Sequence, residues 1–110
     1  MTQTGTSAPT ALDALTPDEQ LAASRRLHWM NMLDLHAQGR PDVEAFVGQG
    51  ERYTWKQLHT RVSAVAADLQ ERGVARGDRV FILGLNSVSY VTALLAINTV
   101  GAIAAPLNIR

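Results

Sequence analysis

Apolar and polar positions divide the chain into segments of different period. Trp55, Leu58, Val62, Val65 and Leu69 recur at alternating spacings of three and four, which predicts an amphipathic helix with one buried stripe. Thr54 and Gln57 form a capping box at its start, and Gly73 stands where a left-handed residue would end it. Asp68 and Arg72, four apart with the acid first, suit a surface pair on the same helix. Beyond Arg79 the pattern changes: residues 80–109 contain no Asp, Glu, Lys or Arg. Breaks at residues 84–87 and at Gly101 split that run into a strand over residues 79–83, a helix over residues 88–100 and a strand over residues 102–105. Asn86 and Ser87 can cap the helix, which is apolar nearly all the way round. The first strand lacks alternation and reads as an interior strand, while Pro106 removes a ladder donor where the chain is expected to leave the sheet.

Upstream patterns are weaker. Thr16, Pro17 and Glu19 predict a capped helix start at Pro17. Two arrangements fit the stretch after it: one bent helix over residues 17–38, or two helices with Asn31 capping the second and Pro41 beyond its end; we favour two. Trp29, Met32, Leu33 and His36 offer an apolar face, whereas residues 22–26, with Arg25 and Arg26, suit a solvated surface. Residues 44–54 place two β-prone segments around Gly48, Gln49 and Gly50, the composition of a hairpin. The fold class is therefore α/β: N-terminal helices, a β-hairpin, an amphipathic helix and an opening βαβ unit of a larger parallel-type sheet. Residues 1–15 are expected to be a disordered leader, and residues 16–110 an incomplete domain whose βαβ unit lacks part of its cover.

Composition narrows the function classes. The 110 residues carry 10 basic and 10 acidic side chains, so no charge excess points to nucleic acid or an anionic membrane. Without cysteine there is no disulfide framework, thiolate nucleophile or cysteine metal site. Crossing a bilayer takes roughly 20 continuous apolar residues, and Gly84, Asn86, Ser87, Ser89, Asn98, Thr99, Gly101 and Pro106 interrupt the uncharged run too often for that. No transmembrane segment is expected. Residues 1–10 lack the basic start and apolar run of a secretory signal, which leaves the cytoplasm as the expected location.

No constellation for chemistry emerges. His28, His36 and His59 lack the spacing of a metal motif, and His36 near an apolar face fits packing. Ser87 lies outside a Gly-x-Ser-x-Gly motif and serves more simply as a cap. A dinucleotide fingerprint starting at Gly48 would require glycine where Tyr53 stands. Tyr53 and Trp55 could form a stacking platform, but no basic groove accompanies them.

In series, however, Tyr53-Thr54-Trp55-Lys56-Gln57-Leu58, Arg61-Val62, Gly73-Val74, Gly77-Asp78-Arg79-Val80, Asn86-Ser87 and Gly101-Ala102-Ile103-Ala104-Ala105-Pro106-Leu107-Asn108-Ile109-Arg110 resemble the N-terminal end of adenylate-forming (AMP-binding) enzymes, nearest to fatty-acyl-CoA ligases. The resemblance runs from about Trp29 to Arg110, with Gln57 in place of the common acidic residue. It implies a complete enzyme in which a fatty or other carboxylic acid attacks the α-phosphate of ATP, and CoA thiol then displaces AMP, with Mg²⁺ screening the phosphates. In that family the phosphate loop, nucleotide contacts, metal ligand and catalytic lysine lie downstream of the Pro-Leu-Asn-x-Arg segment. The resemblance therefore assigns no catalytic, cofactor-binding or metal residue here. No cofactor is expected for this chain alone, and no activity. Two readings stand side by side: a truncated ligase piece, or a free-standing module that complements another ligase chain. Either way the isolated chain is expected to self-associate or to need its missing C-terminal part.

Overall fold

The computed structural model describes residues 14–26 and 29–108. In chain order these form α1 (Pro17–Arg26), α2 (Trp29–Gly39), β1 (Glu44–Gly48), β2 (Glu51–Thr54), α3 (Trp55–Glu71), β3 (Arg79–Ile82), α4 (Val88–Thr99) and β4 (Ile103–Pro106). Thr16 caps α1 as its spacing predicts: Glu19 N–H donates to Thr16 Oγ1 at 3.3 Å, and Thr16 N–H donates to Glu19 Oε2 at 2.8 Å. The backbone N–H of Thr16, and after it the Thr16 side chain, hold the Glu19 carboxyl below its ordinary pKa. The choice between one bent helix and two turns on Leu27 and His28, which lie outside the described residues, as do residues 1–13 of the expected leader and the side chains of Arg25 and Arg26. Asn31 is not a cap: α2 is already helical at Trp29, two residues upstream.

β1 and β2 pair antiparallel through Gln49 and Gly50, whose φ values of 50° and 78° match the left-handed turns that the twist of hairpin strands favours. The register slips between Glu44 and Phe46, so Ala45 is the additional residue of a bulge. Hairpin and α3 are continuous. Thr54 ends β2 and caps α3: Gln57 N–H donates to Thr54 Oγ1 at 3.2 Å, and Thr54 N–H donates to Gln57 Oε1 at 2.9 Å. Gly73, at φ 91°, closes the helix, where Val74 N–H reaches back to the Leu69 carbonyl at 3.0 Å.

The predicted stripe on α3 is buried at Leu58 and Val62 and half-buried at Trp55, Val65 and Leu69; together with Ala66, which lies outside that stripe and is also buried, it packs with Leu33 of α2 and Leu95 and Ala96 of α4. Burying one such leucine or valine contributes about 1.5–3 kcal/mol. A second apolar cluster joins Ile82 of β3, Ile97 of α4 and Ala102 ahead of β4. So α4 is covered by α3 on one side and by the sheet on another, which explains why it carries apolar residues nearly all round.

β3 and β4 pair in parallel, Arg79 opposite Ile103 and Ile82 opposite Pro106. Ile103 N–H donates to the Asp78 carbonyl at 2.7 Å and Leu107 N–H to the Ile82 carbonyl at 2.9 Å. Parallel ladders alternate, so the nitrogen of Pro106 faces away from β3. Pro106 therefore ends β4 inside the pairing; the expected strand over residues 102–105 is shifted by one. β3 carries apolar residues on both faces, as expected for an interior strand of a larger sheet whose unit lacks part of its cover. Ile82 is buried, yet Phe81 and Leu83, on the opposite face, are exposed. Among the described residues the parallel pair has cover on one side only.

Candidate functional site

In open parallel sheets, ligands gather beyond the carboxyl ends of the strands. Here those ends meet at a cavity of about 380 Å³ lined by Gly84, Leu85, Asn86, Tyr90, Pro106, Leu107 and Asn108. Local chemistry explains its shape. Ser87 caps α4 by accepting from Tyr90 N–H at 3.1 Å, so β3 passes into the helix through a tight turn at residues 84–87. The hairpin tip braces that turn: Gln49 Nε2 donates to the Asn86 carbonyl at 2.9 Å. Asn86 and Asn108 supply amides and Tyr90 a phenol, and no lining residue carries charge at neutral pH. Such a wall can orient a neutral polar or apolar group but offers neither a general base nor a cation for phosphate.

Two further concavities sit near α2. One, of about 450 Å³, is lined by residues that include Asp34, His59, Ser63, Asn98 and Thr99. In it His59 Nε2 lies 2.6 Å from Asp34 Oδ1, a contact joining α2 to α3 at the surface. The other, of about 340 Å³, is apolar and includes Trp29, Met32, Phe46 and Trp55. His36 lies against Trp55 there with ring centroids 4.5 Å apart, so it packs as its position on the apolar face suggests. The imagined Tyr53–Trp55 platform is occupied by the chain itself: Arg61 lies over the Tyr53 ring at 4.9 Å and Nη1 donates to its hydroxyl at 2.7 Å. Ser87 is the cap of α4. Among the described residues no three His, Asp or Glu side chains come together as a metal site. Local sequence spacing missed the Asp34–His59 contact because 25 residues separate the partners and no motif links them.

A family model described as AMP-binding enzyme matches residues 33–110. 2-Succinylbenzoate–CoA ligase of Bacillus cereus strain Q1 is 39% identical over 70 residues, which are 64% of this chain and 15% of the relative. Among solved structures, fatty acid AMP ligase from Legionella pneumophila superposes with a TM-score of 0.66 at 30% identity, over 71% of this chain and 14% of that one. The NpsA N-terminal subdomain of Klebsiella oxytoca gives a TM-score of 0.68 at 30% identity, over 72% of this chain and 21% of that one. This chain thus spans a small part of the proteins that it matches.

Proposed function

Because the chain belongs to the AMP-binding enzyme family, whose members form adenylates, we propose that it is the N-terminal piece of an ATP-dependent fatty-acyl-CoA ligase, inactive by itself. The observation that carries the reading is the β3–α4–β4 unit, built as a layer of a larger sheet: one face is packed on α4 and the other is apolar and bare. Residues 16–110 are then the opening of the large domain. A fatty acid as the substrate draws support from the Legionella fatty acid AMP ligase, while 2-succinylbenzoate–CoA ligase shows that similar chains serve other acids.

ATP with Mg²⁺ does not fit the residues present. The cavity at the strand ends has no cation to meet phosphates, and no carboxylate cluster for a divalent ion occurs among the described residues. What this chain supplies is framework: the capped helices and the parallel pair set the strand ends against which the rest of a domain would build. ATP, Mg²⁺ and CoA belong to the complete enzyme, which we place in the cytoplasm; among the described residues no helix is long and apolar enough to cross a membrane.

Three measurements test this. Purified chain, assayed for ATP-dependent acyl-CoA formation with fatty acids of several lengths, is expected to show no turnover; clear turnover would defeat the reading. The gene beyond the codon for Arg110 is expected to encode a Ser/Thr/Gly-rich phosphate loop. Once that longer product is made, fatty acids are expected to support pyrophosphate exchange better than 2-succinylbenzoate, and the reverse order would reassign the substrate.

A further inference from the structure

The cavity of about 450 Å³ lies between α2, the middle of α3 and the last turn of α4. It sits at the opposite end of α4 from the cavity at the strand ends, since Asn98 follows Tyr90 by about 12 Å of helix. Hydrogen bonds already made on its wall settle what the remaining polar atoms can do. His59 Nε2 lies 2.6 Å from Asp34 Oδ1; an ionised carboxylate only accepts, so the ring nitrogen donates, and in the neutral ring Nδ1 is left as an acceptor. Asn98 Nδ2 donates to the Leu94 carbonyl at 2.8 Å, and Thr99 Oγ1 donates to the Leu95 carbonyl at 2.8 Å. Those bonds commit the hydroxyl proton and an amide proton, and leave Asn98 Oδ1, the Thr99 lone pairs and the second Asp34 oxygen to accept. Among the described residues Asp34 and His59 are the ionisable side chains lining this cavity, so with His59 neutral the wall carries a net negative charge. Asn98 and Thr99 also belong to the last turn of α4, the negative pole of the helix dipole. Beneath the polar atoms Met30, Leu33 and Val62 supply an apolar floor.

We propose that this cavity binds a primary alkylammonium group, whose ammonium protons meet the acceptors of Asp34, Asn98 and Thr99 and whose chain lies on Met30, Leu33 and Val62. Nothing in the site draws on the family reading. The chemistry of the wall selects this ligand. An anion would face the Asp34 carboxylate and the negative end of α4, both of the wrong sign. A guanidinium pairs best with a carboxylate through two parallel bonds, and one Asp34 oxygen is already engaged by His59. An inorganic cation would leave the apolar floor unused. An ammonium carries donors alone and needs acceptors alone, which is what the bonds to Leu94, Leu95 and Asp34 leave available. The cavity also falls within the roughly 300–1,000 Å³ of small-molecule sites. The same ammonium chemistry occurs on a free amine and on a lysine side chain of another protein.

The test titrates the full chain at constant ionic strength with pentylamine, and in parallel with 1-pentanol and pentanoate, which carry the same alkyl chain without the positive charge. Binding is read from amide shifts of the protein and from saturation transfer to the ligand by NMR. Pentylamine is expected to give saturable shifts centred on Asp34, His59, Ser63 and Thr99, with the alcohol and the anion about tenfold weaker or silent. Asp34→Asn keeps an acceptor for His59 while deleting the charge, and is expected to weaken pentylamine by about tenfold or more. Glu71→Gln removes an equal charge from the exposed end of α3 and is expected to change nothing. The comparison of pentylamine with pentanol uses unsubstituted chain, so it decides the matter even where a variant fails to fold. Shifts that do not saturate, equal binding of pentanol, or an affinity indifferent to Asp34→Asn overturn the proposal. A further arm uses Nα-acetyl-lysine methylamide: tighter binding than pentylamine supports the site with a partner's lysine as its ligand, and weaker binding supports it with a free amine.

Discussion

Thr92 is 2% exposed, and among the described residues its Oγ1 is the buried side-chain atom without a hydrogen-bond partner. A hydroxyl withdrawn from water without a new partner costs stability, and valine has nearly the same shape without it. Thr92→Val is therefore expected to stabilise the chain by about 1–2 kcal/mol, seen as a higher urea midpoint, while an unchanged midpoint would mean that the hydroxyl is satisfied in solution. Leu58 makes the opposite case. It is buried where α3 meets α2 and α4, so Leu58→Ala is expected to cost about 2–5 kcal/mol in the same titration. The two positions were legible to different degrees: Leu58 belongs to a periodic stripe, whereas nothing near Thr92 in sequence marks its hydroxyl as buried.

At the scale of elements, helix starts are written locally and can be tested one atom at a time. Thr54→Ala removes the acceptor for Gln57 N–H and is expected to destabilise α3 by about 1 kcal/mol; Thr54→Ser keeps the acceptor and most of the stability. Hydrogen exchange at the first turn of α3 would show the difference. Glu19 gives a pH counterpart in α1. Its carboxyl is lowered in the folded chain by the hydrogen bonds with Thr16, so its contribution is present above the ordinary carboxylate value and is lost as pH falls through the lowered folded value. A carboxyl titration by NMR is expected to place Glu19 below an ordinary glutamate, and Thr16→Val is expected to return it toward that value. Capping boxes, the α3 stripe and the hairpin turn could be read from sequence because each depends on residues within four positions of one another. Asn31 misled as a helix start because a side chain able to cap is equally able to sit inside a helix, and tertiary packing of Leu33 and Met30 carries α2 further upstream.

For the whole molecule, the bare face of β3–β4 has a consequence that the isolated chain can show. Folded chain is expected to bind a hydrophobic dye, and Phe81→Ser together with Leu107→Ser is expected to cut the signal severalfold while leaving the urea midpoint nearly unchanged, because both side chains are exposed. Dye binding indifferent to both substitutions would locate the apolar surface elsewhere, with the groove beside Trp29 and Met32 the next place to look. The uncharged run of residues 80–109 announced that much surface wanted cover. Which surface obtained it depends on α3 and α4 meeting across the core, and that is a property of the assembled chain.

Taken by itself, the sequence determined where α1, α3 and α4 begin, where α3 ends and where the hairpin turns, since caps, left-handed glycines and hydrophobic period act through neighbours along the backbone. It also determined that a parallel βαβ unit was present, because two short apolar segments separated by a capped helix have few other ways to bury themselves. Only the tertiary structure decided the parallel register of β3 on β4, the contact of Asp34 with His59, and the burial of Ile82 while Phe81 stays bare. These depend on side chains distant in sequence and on which layers are present to pack, and no local pattern encodes which face is left bare among the described residues.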